Sequence, residues 1–355
     1  MCLSGGGYRA MLFHLGAAWR LYETGELANL DRISSVSGGS ITAAVLGMNW
    51  RELKVSRPSR DRFEEFAVEP IRGLAGVTID IGSALGGAFG RGTSAARLPK
   101  KYDRLLFDGR TLQDLPARPK LVINSTNVQS GALWRFSKSC MADWRVGRIT
   151  RPKTPLAVAV AASSACPPFL SPLILRFKEK DYRRSSGYDL QKPPFTTRVV
   201  LTDGGVYDNL GLETAWKNHK RILVSNAGGQ MAPQPRPSAH ALPHLRRVFE
   251  LTDNQVRSLR KRQLIGSYGK GIREGGYWGI RDNIADYRAR RTLPCPHGKT
   301  MKLAQEPTRL KRLSRRRQKQ LINWGYAICD AAIRKYAGTS APPPEDFPYP
   351  GAAVG

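Results

Sequence analysis

Twice within its first fifty residues the chain runs from a short strand through a glycine-rich turn into a helix. Cys2 to Ser4 form a strand stub, Gly5-Gly6-Gly7 the turn and Ala10 to Glu23 an Ala/Leu-rich helix. Arg32 to Val36 then form a compact strand, Ser37-Gly38-Gly39-Ser40 a second turn, and residues 41–50 a second helix. Strands that alternate with helices need a sheet covered on both faces, so the expected fold class is α/β with a mostly parallel central sheet. Further strands are expected at Lys120 to Asn124, Leu133 to Ser137, Arg198 to Thr202 and Arg221 to Ser225. Residues 51–110 are mixed, with a Gly-rich interval from Gly82 to Gly92.

The segment PLAVAVAASSACPPFLSPLIL (155–175) carries no charge and has the length of a membrane span. Its prolines and serines leave backbone groups that one helix cannot satisfy, so a buried helix, a turn and a strand are expected instead. No secretory leader is read at the start, because Met1 is followed almost at once by the glycine run. The five cysteines are irregularly spaced, which suits reduced thiols and a cytoplasmic protein better than a disulfide framework. Cys295 and His297 share a short stretch, but two ligands do not make a metal site, and no metal or other cofactor is expected.

Beyond a Gly/Pro-rich stretch from Ala227 to Pro243 the chain turns basic and helical. Helices are expected over Arg246 to Ile265 and Leu321 to Tyr336. Residues 1–230 are read as the catalytic domain, 231–337 as a basic, mainly helical extension packed on it, and 338–355, rich in Pro and Ala, as a disordered tail. The formal net charge of +29 attracts polyanions. Seven Lys/Arg fall between Arg309 and Lys319, a run suited to peripheral docking on an anionic membrane. No aromatic platform or nucleic-acid motif accompanies it, so nucleic acid is a poor candidate partner. Oligomeric state is not legible.

Three segments carry chemistry. Ser37 stands between a strand and a Gly-opened helix, a sharp elbow that exposes the hydroxyl and demands small neighbours, here Gly38 and Gly39. Ser35 replaces the first glycine of the usual G-x-S-x-G pattern. Consecutive glycines at positions 5–7 can turn several N–H groups toward one point, as an acyl-transfer oxyanion requires. Arg9 either steadies that loop or meets a substrate phosphate. Nucleotide binding is disfavoured, since neither G-x-G-x-x-G nor G-K-[ST] occurs in the right place. Asp203, freed by Gly204 and Gly205 at the end of an apolar strand, is a candidate base, with Asp208 as a turn cap and spare candidate.

Together LSGGGYRA, SSVSGGSI, AASSACPP (161–168) and TDGGVYDNLG (202–211) resemble, in order, the four characteristic blocks of patatin-like phospholipases. The Asn323 to Tyr326 segment resembles the C-terminal helix of bacterial members. The resemblance implies a three-layer α/β/α fold and hydrolysis of acyl-lipid esters by a Ser–Asp dyad without histidine or cofactor. Carried over by position, Ser37 is nucleophile and Asp203 base. Gly5, Gly6 and Gly7 form the oxyanion hole with Arg9 in support, and Gly38, Gly39, Gly204 and Gly205 support the two turns. Two alternatives stand beside it. One is a Ser–Asp–His esterase using His219, His240, His244 or His297, with His14 a core residue. The other is a basic membrane-binding scaffold with little activity.

Overall fold

The computed structural model describes residues 1–55, 58–79, 94–168 and 170–354; the interval from Gly82 to Gly92 lies outside them. Among the described residues ten strands share one sheet. In chain order they are β1 (Cys2–Leu3), β2 (Arg32–Val36), β3 (Lys120–Asn127), β4 (Leu133–Phe136) and β5 (Cys140–Asp143). They continue as β6 (Gly147–Thr150), β7 (Leu173–Arg176), β8 (Arg198–Asp203), β9 (Arg221–Asn226) and β10 (Glu274–Gly279). The block β10-β9-β1-β2-β3 is parallel, and β4, β5 and β6 extend it as an antiparallel meander. The helices that frame the site are α1 (Gly7–Glu23), α2 (Gly38–Met48), α3 (Leu156–Ser163), α4 (Ala241–Gly269) and α5 (Arg315–Tyr336). The predicted helix–turn–strand over 155–175 is therefore α3 followed by β7.

The sheet buries both faces, and its strands alternate accordingly. Leu3, Leu223 and Trp278 enter the large core with α1, α2, α3 and α5. Their neighbours Cys2, Ile222, Val224 and Tyr277 enter a second, smaller core with Leu210, Leu212, Ala215 and Leu264. Helices thus cover the sheet on both sides. Even the two-residue β1 is held in register on both edges, Leu3 opposite Ser35 on β2 and Ser225 on β9. No helix among the described residues is long and apolar enough to cross a membrane.

One topological detail builds the site. β2 pairs with β3 only as far as Val36–Asn124. Beyond that point β8 takes over, antiparallel, with Asp203 opposite Ser125. Since β4 occupies the other edge of β3 at Ser125 and Thr126, β2 and β8 share one edge and meet end to end. The carboxyl end of β8 is therefore delivered to the carboxyl end of β2 by register, not by a parallel arrangement.

The C-terminal region is more integrated than a helical extension. β10 adds a full parallel strand to β9, and α5 lies along α1 with each helix's glycine against the other's backbone. A Cβ at Gly16 would fall under 3.0 Å from Ile322 O, and one at Gly325 under 3.0 Å from Phe13 O. Residues 338–354, expected to be disordered, dock on the body. Asn323 Nδ2 donates to Tyr349 O at 2.8 Å and Ala352 O at 3.0 Å, and Phe347 and Val354 are buried. A Pro- and Ala-rich composition predicts little regular structure, and here side chains dock with no more than a 3-10 turn at Pro350–Ala352: the Tyr349 ring meets Trp19 edge-on at 5.8 Å.

Candidate active site

Ser37 is the residue between β2 and α2, with φ 51° and ψ −120°. A non-glycine backbone in that region costs on the order of 1–3 kcal/mol and needs surroundings that enforce it. Those surroundings are a row of serines. Ser37 N–H donates to Ser163 Oγ at 2.9 Å, Ser163 Oγ pairs with Ser40 Oγ at 2.9 Å, and Ser40 Oγ donates to Ser35 Oγ at 3.1 Å. Ser35 is thus more than a tolerated replacement for glycine, because its hydroxyl ends this chain by donating to Val122 O at 3.3 Å. The glycines after Ser37 are steric needs: a Cβ at Gly38 would come under 3.0 Å from Gly7 O, and one at Gly39 under 3.0 Å from Leu3 O.

Asp203 ends β8 and is 7% exposed. Its Oδ1 accepts Gly205 N–H at 2.7 Å, and the carboxylate accepts a hydrogen bond from Ser37. Burial pushes its pKa up to about 7, against the pull of the Gly205 and Ser37 hydrogen bonds and with help from the Asp253 charge on α4. Ser37 and the Asp203 carboxylate are fixed by one segment. Asp203 N–H donates to Ala165 O at 2.9 Å and Gly204 N–H to Ser163 O at 3.3 Å, so the end of α3 holds both partners. That gives the AASSACPP block a physical role the sequence did not disclose. The signal was the Ser pair closing a run of alanines.

The glycine loop divides its labour differently from expectation. Gly5 N–H donates to Asn209 O at 3.1 Å, so that donor is committed within the protein; Gly5 is also a contact point where a Cβ would meet Asn209 Oδ1. Among the described residues the N–H groups of Gly6 (φ 144°) and Gly7 (φ 62°) donate to no protein acceptor. Arg9 is 3% exposed and spends its guanidinium on the protein. It donates to Ala227 O from Nε at 3.2 Å and from Nη2 at 2.9 Å, to Thr308 Oγ1 at 3.1 Å, and to Glu306 O. It steadies the loop, with four of its five N–H groups spent on the protein. Thr308 and Arg309 belong to a strap across the loop, where Tyr8 N–H donates to Arg309 O at 3.0 Å.

Asp208 is committed to its own turn: its two oxygens accept Leu210 N–H at 3.2 Å and Glu213 N–H at 2.7 Å. His14 is buried, its Nε2 2.9 Å from Ser4 O and its Nδ1 2.7 Å from Ser225 Oγ, and burial depresses its pKa to about 3. No histidine among the described residues hydrogen-bonds Ser37 or Asp203. The sequence singled out neither Asn209 nor Asp253. Asn209 in fact ties the Asp203 turn to the glycine loop, and Asp253 overlooks the carboxylate.

The family model for patatin-like phospholipases matches residues 1–216. The chain belongs to the patatin-like phospholipase family. All four sequence blocks lie inside the match, and the structure joins them by the hydrogen bonds above. The chain is also similar in structure to human GIVD cytosolic phospholipase A2, at 14% identity and TM-score 0.41 over 63% of this chain and 42% of that one. A second similar structure is VipD from Legionella pneumophila, at 18% identity and TM-score 0.27 over 58% of this chain and 45% of that one. The chain thus spans under half the length of either. No curated protein matches it.

Proposed function

We propose that this patatin-like chain hydrolyses carboxylic esters of phospholipids or related acyl lipids through a Ser37–Asp203 dyad. The observation that carries the reading is the hydrogen bond from a strained elbow serine to a buried carboxylate of raised pKa. Asp203 takes the Ser37 proton as Ser37 Oγ attacks the acyl carbonyl. The N–H groups of Gly6 and Gly7, beside the amino end of α2, hold the oxyanion. Collapse of the tetrahedral intermediate expels the alcohol with the proton from Asp203 and leaves Ser37 acylated. Water then gives its proton to Asp203 and attacks the acyl-enzyme, releasing the fatty acid and returning the proton to Ser37. The exposed Arg309, Lys311 and Arg312 on the strap favour an anionic membrane as the place where substrate is met.

A carboxylate pushed up to about 7 is half ionised near neutrality, where a general base works best. Only the ionised form accepts the proton, so kcat/KM should rise with pH along an acid limb centred near 7. Removing the Asp253 charge eases ionisation of Asp203, so Asp253→Asn should move that limb to lower pH. A limb that stays in place in Asp253→Asn would remove Asp203 as its source.

The class of reaction is tested with a fluorophosphonate probe, a short p-nitrophenyl ester and mixed phospholipid vesicles. Wild type should be labelled and active, Ser37→Ala neither, and a variant lacking His219, His240, His244 and His297 should keep turnover of the soluble ester. Loss of activity in the histidine variant would favour a triad. A wild type inert on every ester and unlabelled would end the hydrolase reading.

A further inference from the structure

Of the fifteen exposed large hydrophobic residues among those described, seven lie on α4. Scattered exposed apolar residues mean little, whereas such clustering marks an interaction surface. Leu242, Leu245, Phe249 and Val256 follow one another by three, four and seven positions, so they share a stripe, with Val248 and Leu259 beside them. Leu242 is 80% exposed and Leu245 65%.

The two halves of α4 are held differently. The second half is anchored: Arg257 donates to Gly229 O, Arg260 pairs with Glu213 at 3.0 Å, and Tyr268 Oη donates to Ile222 O at 2.6 Å. The buried residues of the helix, Leu264 and Ser267, are both there. The first half leans on the body through little more than Arg247, which donates to Ala232 O at 2.8 Å. An amphipathic helix with an apolar stripe left in water is a helix without its partner.

Position and charge identify that partner. α4 packs beside Gly205–Asp208, the turn that follows Asp203. On the other side of the site the strap crosses Gly7 and exposes Arg309, Lys311 and Arg312. The two elements meet at Gly229, whose carbonyl accepts from Arg257 of α4 and where a Cβ would lie 3.4 Å from Thr308 Oγ1, so apolar helix and basic strap come together beside the site. No Asp or Glu occurs between Glu213 and Glu250, and α4 carries six Lys/Arg against two acids. Apolar side chains set among surplus cations suit a surface of anionic headgroups over acyl chains, and oppose burial against a second copy of a chain of net charge +29.

We propose that residues 241–259 of α4 insert their apolar stripe into an anionic phospholipid surface, with Arg309, Lys311 and Arg312 of the strap against the headgroups, so that the Ser37 site faces the bilayer. The insertion rests on the lipid-hydrolase reading only for its consequence, which is that lipid enters the site without crossing water.

Sedimentation with phosphatidylglycerol/phosphatidylcholine vesicles and with phosphatidylcholine vesicles alone tests it, using wild type, Leu245→Glu/Phe249→Glu and the milder Leu245→Ala/Phe249→Ala. Wild type should bind the anionic vesicles more tightly, and the Glu pair should lose about tenfold or more of that affinity, the Ala pair less. Both variants should keep p-nitrophenyl ester turnover while vesicle hydrolysis falls. Unchanged vesicle binding in the Glu pair overturns the proposal. So does a wild-type dimer, seen by light scattering, that the Glu pair dissolves with vesicle binding intact. A wild type that turns over no ester yet loses vesicle binding in the Glu pair ends the hydrolase reading and leaves the docking surface standing.

Discussion

Asp203→Asn should lower kcat on a soluble ester by about 10⁴-fold while leaving the protein as stable as wild type or more so. The two effects have one cause. Asn keeps an acceptor for Gly205 N–H and Ser37 Oγ–H, so the turn retains its shape, but it cannot take the proton. The stability sign follows from the raised pKa. With the folded value near 7 and the unfolded near 3.8, the native state holds its proton where the unfolded state has lost it. Stability therefore falls as pH rises through that window, and above it the folded protein carries a buried charge it would lose in the variant. Parallel pH-rate and melting measurements at pH 8 check this. Turnover within about tenfold of wild type, or inactivity explained by a lower melting temperature, would reduce Asp203 to a structural residue.

The sequence did not disclose β10, but it made the other four parallel strands legible as short runs, β1 and β2 followed at once by glycine turns. The Ser37 elbow and the Asp203 turn were legible for the same reason: glycine spacing shows where a backbone must bend sharply or pass close to another. What joins them was not. The β2–β8 end-to-end meeting depends on which edge of β3 each strand takes, and local pattern carries no information on that. Gly5 reads the same as Gly6 and Gly7 in the sequence, yet its N–H is committed to Asn209 O, a partner about two hundred residues away. Arg9 was open between two roles because an arginine beside a glycine loop serves either. Its partners, Ala227 O and Glu306 O, are backbone atoms with no signature of their own. The docked tail escaped for a related reason, since side-chain contacts made by irregular backbone leave no periodicity.

The same limit hides how closely the C-terminal helix, expected to pack on the catalytic domain, approaches α1, and it leads to the largest stability effect expected here. Gly325→Ala should destabilise the protein although it replaces glycine by the best helix former. In the interior of an exposed helix that exchange gains about 1 kcal/mol. At Gly325 the new methyl would enter the backbone of α1 at Phe13 O, and Gly16 on α1 faces Ile322 O on α5 in the same way. Neither obstacle is a flexible side chain, so relief requires the two helices to separate. Their interface holds Phe13, Trp324, Ile328 and Cys329, all buried. Overpacking of this kind costs about 3 kcal/mol or more, which outweighs the propensity gain. Because α1 begins at Gly7, its displacement should also carry the Gly6 and Gly7 donors away from Ser37 and lower kcat more than it raises KM. Gly73→Ala is the control: nothing lies within 4 Å of a Cβ there, so that variant should melt at or slightly above the wild-type temperature. If thermal melts show Gly325→Ala as stable as Gly73→Ala, α5 does not clamp α1, and the support of the oxyanion loop must come from the strap and Arg9 alone.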